Sequence, residues 1–128
     1  MKRMGQFTEE EAARIAKSFS GDYFHRDQLL FLMGHFSLRR LQDLLLLRRR
    51  DVEHDGELLD SVHPGVRDPL RFWLTILGLK GYSRSWSYIF QNRFRGNEPI
   101  SRANANSIIR AAVRRAGINC QEVVRPMW

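Results

Sequence analysis

HRDQLLFLMG, residues 25–34, is the stretch that decides the fold of this chain. Five consecutive apolar residues run from Leu29 to Met33, so a helix over this stretch has no fully polar face. A helix that is apolar on all sides has to be buried by other parts of the chain. We therefore expect a largely buried helix that begins at His25 or Arg26 and ends near Gly34.

Two further helices are predicted on either side of this buried stretch. Residues 8–11 read Thr-Glu-Glu-Glu, a capping box in which the Thr8 hydroxyl accepts from the Glu11 amide and the Glu11 carboxylate accepts from the Thr8 amide. Apolar residues at helical spacing follow, which predicts a helix from about Glu9 to Ser18. Downstream, we expect Ser37 to cap a third helix that continues to about Leu47.

A short hairpin and a fourth helix are predicted in the middle of the chain. Asp55-Gly56 is a strong turn signal between residues 52–54 and 57–59, so two short strands are expected to pair there. Asp68 followed by Pro69 is typical of an N-cap with proline at the first helical position. That helix is expected to end near Gly78 or Gly81.

The last part of the chain contains the clearest helix and the least clear segment. Ser101 is expected to cap a helix from Arg102 to Ala116, stopped by Gly117. Residues 82–98 fit a strand or a helix equally well, and we expect Trp73 and Trp86 to lie in the core. The predicted fold is one domain over residues 1–128, mainly α with a small β-hairpin or three-stranded sheet, in the α+β class.

Composition restricts the classes of protein to which the chain can belong. The 128 residues are 43% hydrophobic and 27% charged, which favours one packed domain over a disordered chain. A single cysteine, Cys120, cannot form an internal disulfide, so we expect a reducing, cytoplasmic environment. No signal peptide, membrane span, metal-ligand spacing or cofactor motif is recognisable, so neither a metal nor a cofactor is predicted.

Charge is distributed unevenly along the chain. Residues 1–60 carry ten Lys/Arg and eleven Asp/Glu, a net of −1, whereas residues 61–128 carry eleven and three, a net of +8; together they give +7. Most of the basic residues are arginines, whose planar guanidinium suits phosphate better than a lysine point charge does. The imbalance favours nucleic acid as a partner, DNA first. A merely solubilising surface, an acidic protein and a lipid surface are the alternatives.

The last predicted helix carries the basic residues at a regular spacing. Arg102, Asn106, Arg110 and Arg114 follow one another in steps of four, with Arg115 beside them and no acid on the helix. Steps of four place side chains along one face, so the helix is predicted to carry a stripe that could follow a phosphate backbone. A solvated outer face with no partner is the alternative.

Two segments resemble the catalytic domain of the tyrosine recombinases, the phage-integrase family. Residues 7–52, FTEEEAARIAKSFSGDYFHRDQLLFLMGHFSLRRLQDLLLLRRRDV, are similar to the opening of that domain, and residues 89–118 to the stretch before its second motif. The resemblance places the first catalytic arginine at Arg40, with Asp43 as the accompanying acid. It implies a truncated recombinase-like fold and a phosphate site made of Arg40 and Arg125. Together with the charge split and the stripe on the last helix, it leads us to expect further DNA contacts from Arg102, Arg110, Arg114 and Arg115.

The chain also departs from the pattern of that family. The second motif needs His-x-x-Arg, and residues 122–125 read Glu-Val-Val-Arg. The nucleophilic tyrosine would lie beyond Trp128, the hairpin lysine has no counterpart between Asp51 and Arg67, and Leu38 replaces a glycine. Without a nucleophile, arginines bind phosphate and do nothing further.

We therefore expect no enzyme activity, but a DNA-binding relative that acts as an accessory or regulatory factor at recombination or mobile-element DNA. Two alternatives stay open. One is a protein-interaction module that modulates a recombinase or another partner, and the other is a fragment or subunit of an active recombinase.

Overall fold

The computed structural model describes residues 7–37, 39–94 and 96–118. These residues contain five α-helices and one two-stranded antiparallel sheet, together with a 3₁₀ turn over Arg49–Asp51. This confirms the expected class, mainly α with a small hairpin. The helices are α1 Glu9–Ala16, α2 Phe24–Ser37, α3 Leu41–Leu45, α4 Pro64–Leu79 and α5 Arg102–Arg115; the strands are β1 Glu53–His54 and β2 Glu57–Leu58.

Helix α2 is the centre of the fold, as its apolar sequence predicts. It packs against α1, α3, α4 and α5. Leu29, Leu30 and Phe31 are completely buried, and Met33 and Gly34 are buried beside them. The helix continues past its predicted end near Gly34 to Ser37.

Two of the four capped helix starts that the sequence predicts are confirmed. At α1, the Thr8 amide donates to Glu11 Oε1 at 2.9 Å and the Glu11 amide donates to Thr8 Oγ1 at 3.1 Å. At α5, Ser101 Oγ accepts from the Asn104 amide at 3.1 Å. Gly117, with a positive φ of 80°, follows the end of α5 in the left-handed conformation that glycine adopts readily.

The hairpin is also confirmed. Glu53 pairs with Leu58 and His54 with Glu57, and residues 55 and 56 form the turn between them. Asp55 and Gly56 have φ values of 50° and 81°. Two successive positive φ angles are the signature of a type I′ turn, whose twist matches that of the two strands.

Two predicted helix starts are wrong. Ser37 does not cap α3: it is the last residue of α2, where its hydroxyl donates to the Met33 carbonyl. Helix α3 begins only after Arg40 and ends at Leu45, two residues before the predicted end. Just beyond it, the Leu47 carbonyl accepts from the Ile89 amide at 3.0 Å.

Helix α4 begins five residues earlier than predicted. His63 is its N-cap and Nδ1 of that residue accepts from the Gly65 amide at 2.9 Å, while Pro64 occupies the first helical position. Asp68-Pro69 therefore lies inside the helix. A Cβ on Gly65 would come within 2.9 Å of the Phe36 ring, so glycine is what allows α4 to start against the end of α2.

Residues 82–98 form neither a helix nor a strand over their described positions. Two isolated bridges, Arg48 with Tyr88 and Gln91 with Pro99, hold the segment against the rest of the chain. Trp73 is buried as predicted and donates from Nε1 to the Ile89 carbonyl at 2.7 Å. The prediction for Trp86 is wrong, because 52% of that residue is exposed.

Candidate nucleic-acid interface

Helix α5 separates an apolar face from a basic one. Ala105, Ile109, Ala112 and Val113 are buried. Arg102, Arg110 and Arg114 are exposed, and we call these three residues the α5 arginine face. No acidic residue lies on the helix.

The α5 arginine face is narrower than the sequence predicts. With about 100° between successive residues, Arg115 points about 100° away from Arg114 and about 140° away from Arg110, and its Nε donates to the Ser18 carbonyl at 2.8 Å. Asn106 is half-buried, and its Oδ1 is fully buried without a hydrogen-bond partner. Asn106 is therefore wrong as a member of an exposed stripe, whereas Arg115 is exposed but bonded to the chain just beyond α1.

The fold brings Arg40 and Arg102 into the same region. Arg40 is exposed at the N-cap of α3, and no hydrogen bond joins its side chain to the helix. Gln42, two residues further on, lines a shallow groove with Leu46 and Arg102. The groove joins the start of α3 to the start of α5, and the α5 arginine face extends from there. Arg125 lies outside the described residues.

Many of the other arginines stabilise the fold. The described residues contain fifteen of the eighteen arginines, all except Arg3, Arg95 and Arg125. At least six of the fifteen donate hydrogen bonds to main-chain carbonyls: Arg14, Arg26, Arg48, Arg49, Arg67 and Arg115. A count of basic residues in the sequence therefore overstates the charge that is available to a polyanion.

One of these arginines belongs to a buried ion pair. Arg26 Nε donates to Asp27 Oδ1 at 2.9 Å, and its Nη1 donates to the Gln91 carbonyl at 2.9 Å. Burial raises the pKa of the Asp27 carboxyl above its ordinary value, and the neighbouring Arg26 guanidinium opposes part of that rise. The pair attaches the start of α2 to the segment that leads into α5.

A large cleft lies away from the α5 arginine face. It has a volume of about 420 Å³ and lies between the end of α2 and the start of α4, where Phe36, Arg39 and His63 line it with Asp51 and Asp60. Two carboxylates against one guanidinium give this cleft the wrong sign for a phosphate. The Phe36 and His63 rings stack at 4.6 Å, so His63 has a packing role.

A second basic region was missed by sequence reasoning. The Arg49 and Arg50 amides donate to the Ser87 and Ser85 carbonyls at 2.9 and 3.0 Å. This pairing places the arginines of residues 48–50 beside residues 84–88, where Trp86 is exposed. The sequence contains two signals for this region, namely the three consecutive arginines and the sequence Arg-Ser-Trp-Ser-Tyr. Nothing in their spacing, however, shows that these two distant segments pair.

Within the described residues, no group of three His, Cys, Asp or Glu side chains is placed to hold a metal ion. Nor does this part of the chain include a helix with the length and apolar character to span a membrane.

Comparison of the chain with protein-family models, with curated proteins and with solved structures finds no match.

Proposed function

We propose that the protein binds duplex DNA through the α5 arginine face and does not cleave it. In this role it is a non-catalytic relative of the tyrosine recombinases, an accessory or regulatory factor at recombination or mobile-element DNA. The relationship to that family is supported by the sequence resemblance alone. Binding without cleavage is supported by Glu122 at the position of the family's histidine and by the lack of a lysine between Asp51 and Arg67.

The observation that carries the proposal is the α5 arginine face. Three exposed arginines lie on one helix without an acid, and Arg110 and Arg114 are separated by about 6 Å along the helix axis. Guanidinium groups bind phosphate with short, charge-assisted hydrogen bonds. A small number of such contacts carries no base readout, so the expected binding is weak, independent of sequence and strongly dependent on salt.

A titration of fluorescent duplex DNA, followed by anisotropy at low and moderate salt, tests the proposal. The test variant combines Arg110→Glu with Arg114→Glu, and the control combines Arg71→Glu with Lys80→Glu, which changes the charge by the same amount outside α5. We expect the test variant to lose about tenfold or more in affinity, since phosphate contacts supply most of such binding. Equal losses in both variants, or wild-type binding that salt does not weaken, would contradict the proposal.

Cleavage is tested separately with a suicide duplex that traps a covalent protein–DNA adduct. We expect no adduct. An adduct formed by this chain would favour the remaining alternative, a fragment or subunit of an active recombinase.

A protein-interaction module is the second candidate, and one observation favours it. Phe72, Ile76 and Leu79 lie at helical spacing on α4, where 51% of Phe72 and 85% of Leu79 is exposed. The Phe72 ring contacts His25 at 4.7 Å, so the apolar ridge reaches the start of α2. Phe72→Ser with Leu79→Ser should abolish binding to a protein partner, whereas the α5 variant should retain it.

A further inference from the structure

The segment of residues 84–88 exposes a large aromatic ring on a fixed backbone. Trp86 is 52% exposed, although a buried environment would favour so large an apolar side chain. Its carbonyl accepts from Arg48 Nη1 at 2.7 Å and from Asn97 Nδ2 at 3.5 Å. These bonds hold the main chain of Trp86 in place while the ring faces solvent.

One guanidinium lies beside this ring, and a second arginine lies on the segment paired with it. Arg84 lies 5.7 Å from the centre of the Trp86 ring, and the Arg50 amide is bonded to Ser85. Both arginine side chains are exposed. We call Arg50, Arg84 and Trp86 the Trp86 surface.

Two acids that follow Arg50 closely in the sequence accept hydrogen bonds from Arg48 and Arg49. Asp51 Oδ2 accepts from the Arg48 amide at 2.8 Å, and Glu53 Oε1 accepts from Arg49 Nε at 2.8 Å. Residues 69–97 contain no acid, and Glu98 is the first acid after them. The Trp86 surface therefore combines a half-exposed aromatic ring with two exposed arginines.

We propose that the Trp86 surface binds unpaired nucleotides, with a base stacked on the Trp86 indole and Arg50 and Arg84 on the adjacent phosphates. Aromatic rings flanked by basic side chains are how proteins bind single strands without sequence preference, because every base has a π face. In a duplex those faces are hidden in the base stack, so the indole can stack only on an unpaired base. The Trp86 surface lies outside α5, and this proposal does not depend on duplex binding by the α5 arginine face.

Labelled twelve-nucleotide strands test the proposal by anisotropy at low salt: oligo(dT), oligo(rU) and an abasic strand with the same phosphates but no bases. Trp86→Ala should weaken binding of the base-bearing strands about tenfold. Trp86→Phe should restore most of it, and the abasic strand should be bound equally by wild type and Trp86→Ala. The relative affinity for oligo(dT) and oligo(rU) distinguishes DNA from RNA as the favoured single strand.

Phe72→Ala is the control, because it removes an aromatic ring of similar exposure on α4. It should leave binding of all three strands unchanged. Three results would overturn the proposal: no binding of oligo(dT) or oligo(rU) at low salt, equal losses for Trp86→Ala and Phe72→Ala, or equal losses with the abasic strand. Failure of the duplex proposal would be detected by a different measurement, the titration of duplex DNA with the Arg110→Glu, Arg114→Glu variant.

Discussion

Arg14 and Arg115 each donate a hydrogen bond to a main-chain carbonyl at the C-terminal end of the other's helix. Arg14 Nη2 donates to the Ala116 carbonyl at the end of α5 at 2.7 Å, and Arg115 Nε donates to the Ser18 carbonyl just beyond the end of α1 at 2.8 Å. The last carbonyls of a helix have no partner within the helix, and positive charge is favourable there. The reciprocal bonds therefore join two elements that are almost a hundred residues apart in sequence.

Loss of either reciprocal bond should destabilise the protein to a similar extent. We expect Arg14→Ala and Arg115→Ala each to lower the free energy of unfolding by about 1 kcal/mol, the usual net contribution of a hydrogen bond at an exposed position. Arg114→Ala, next to Arg115 but on the α5 arginine face, should change it by less than about 0.5 kcal/mol. Urea unfolding measures all three, and a larger loss in Arg114→Ala would be inconsistent with this assignment.

For DNA binding, we expect the substitution of Arg114 to have the larger effect and that of Arg115 the smaller. Arg114→Ala should weaken duplex binding and reduce the slope of log affinity against log salt by about 0.9, the value for one lost phosphate contact. Arg115→Ala should leave that slope unchanged, because its guanidinium is bonded to Ser18. Salt titrations of both variants measure these slopes. Equal slopes would contradict the assignment of a phosphate contact to Arg114 and not to Arg115.

Arg49 should be among the most sensitive positions for stability. It is buried, with Nε on Glu53 at 2.8 Å and Nη1 on the Leu74 and Tyr82 carbonyls at 2.9 and 3.1 Å. Arg49→Met removes these bonds and leaves a half-buried carboxylate without its partner, which should lower the free energy of unfolding by about 3 kcal/mol. Arg50→Met, at the exposed neighbour, is the control. Similar urea midpoints for the two variants would argue against the role of Arg49.

The buried Asp27 carboxyl should make stability depend on pH. Its raised pKa means that the folded state holds the proton more tightly than the unfolded chain. The contribution of Asp27 is therefore fully present below the ordinary pKa of 3.8 and is lost as pH rises through the folded-state pKa. The free energy of unfolding of the wild type minus that of Asp27→Asn should fall over this window. A difference that is flat or rises with pH contradicts the expectation.

Local signals in the sequence were sufficient for most of the elements. The capping box at Thr8, the Ser101 cap and the Asp55-Gly56 turn each depend on residues within a few positions of one another, and all three form as expected. The start of α4 was misplaced because His63-Pro64 and Asp68-Pro69 both carry proline at a possible first position. Aspartate is the commoner cap, but here the His63 ring accepts the bond, and the fit of Gly65 against Phe36 decides the start.

The candidate site could be predicted only in part. Helical spacing identified Arg102, Arg110 and Arg114 as one exposed face, since spacing within a helix is local. It could not show that Arg115 is bonded to Ser18, or that Trp86 is exposed, because both depend on segments that are distant in sequence. The count of basic residues overstated the available positive charge for the same reason, because the composition does not show which arginines are bonded to distant carbonyls.

The central position of α2 has a consequence for how the protein opens. Every other helix packs on α2, so its amides reach solvent only when several neighbours have separated from it. Hydrogen exchange should therefore be slowest in residues 29–33, at a rate governed by global unfolding. The short hairpin around Gly56, with one exposed turn and two residues in each strand, should exchange long before any helix is released.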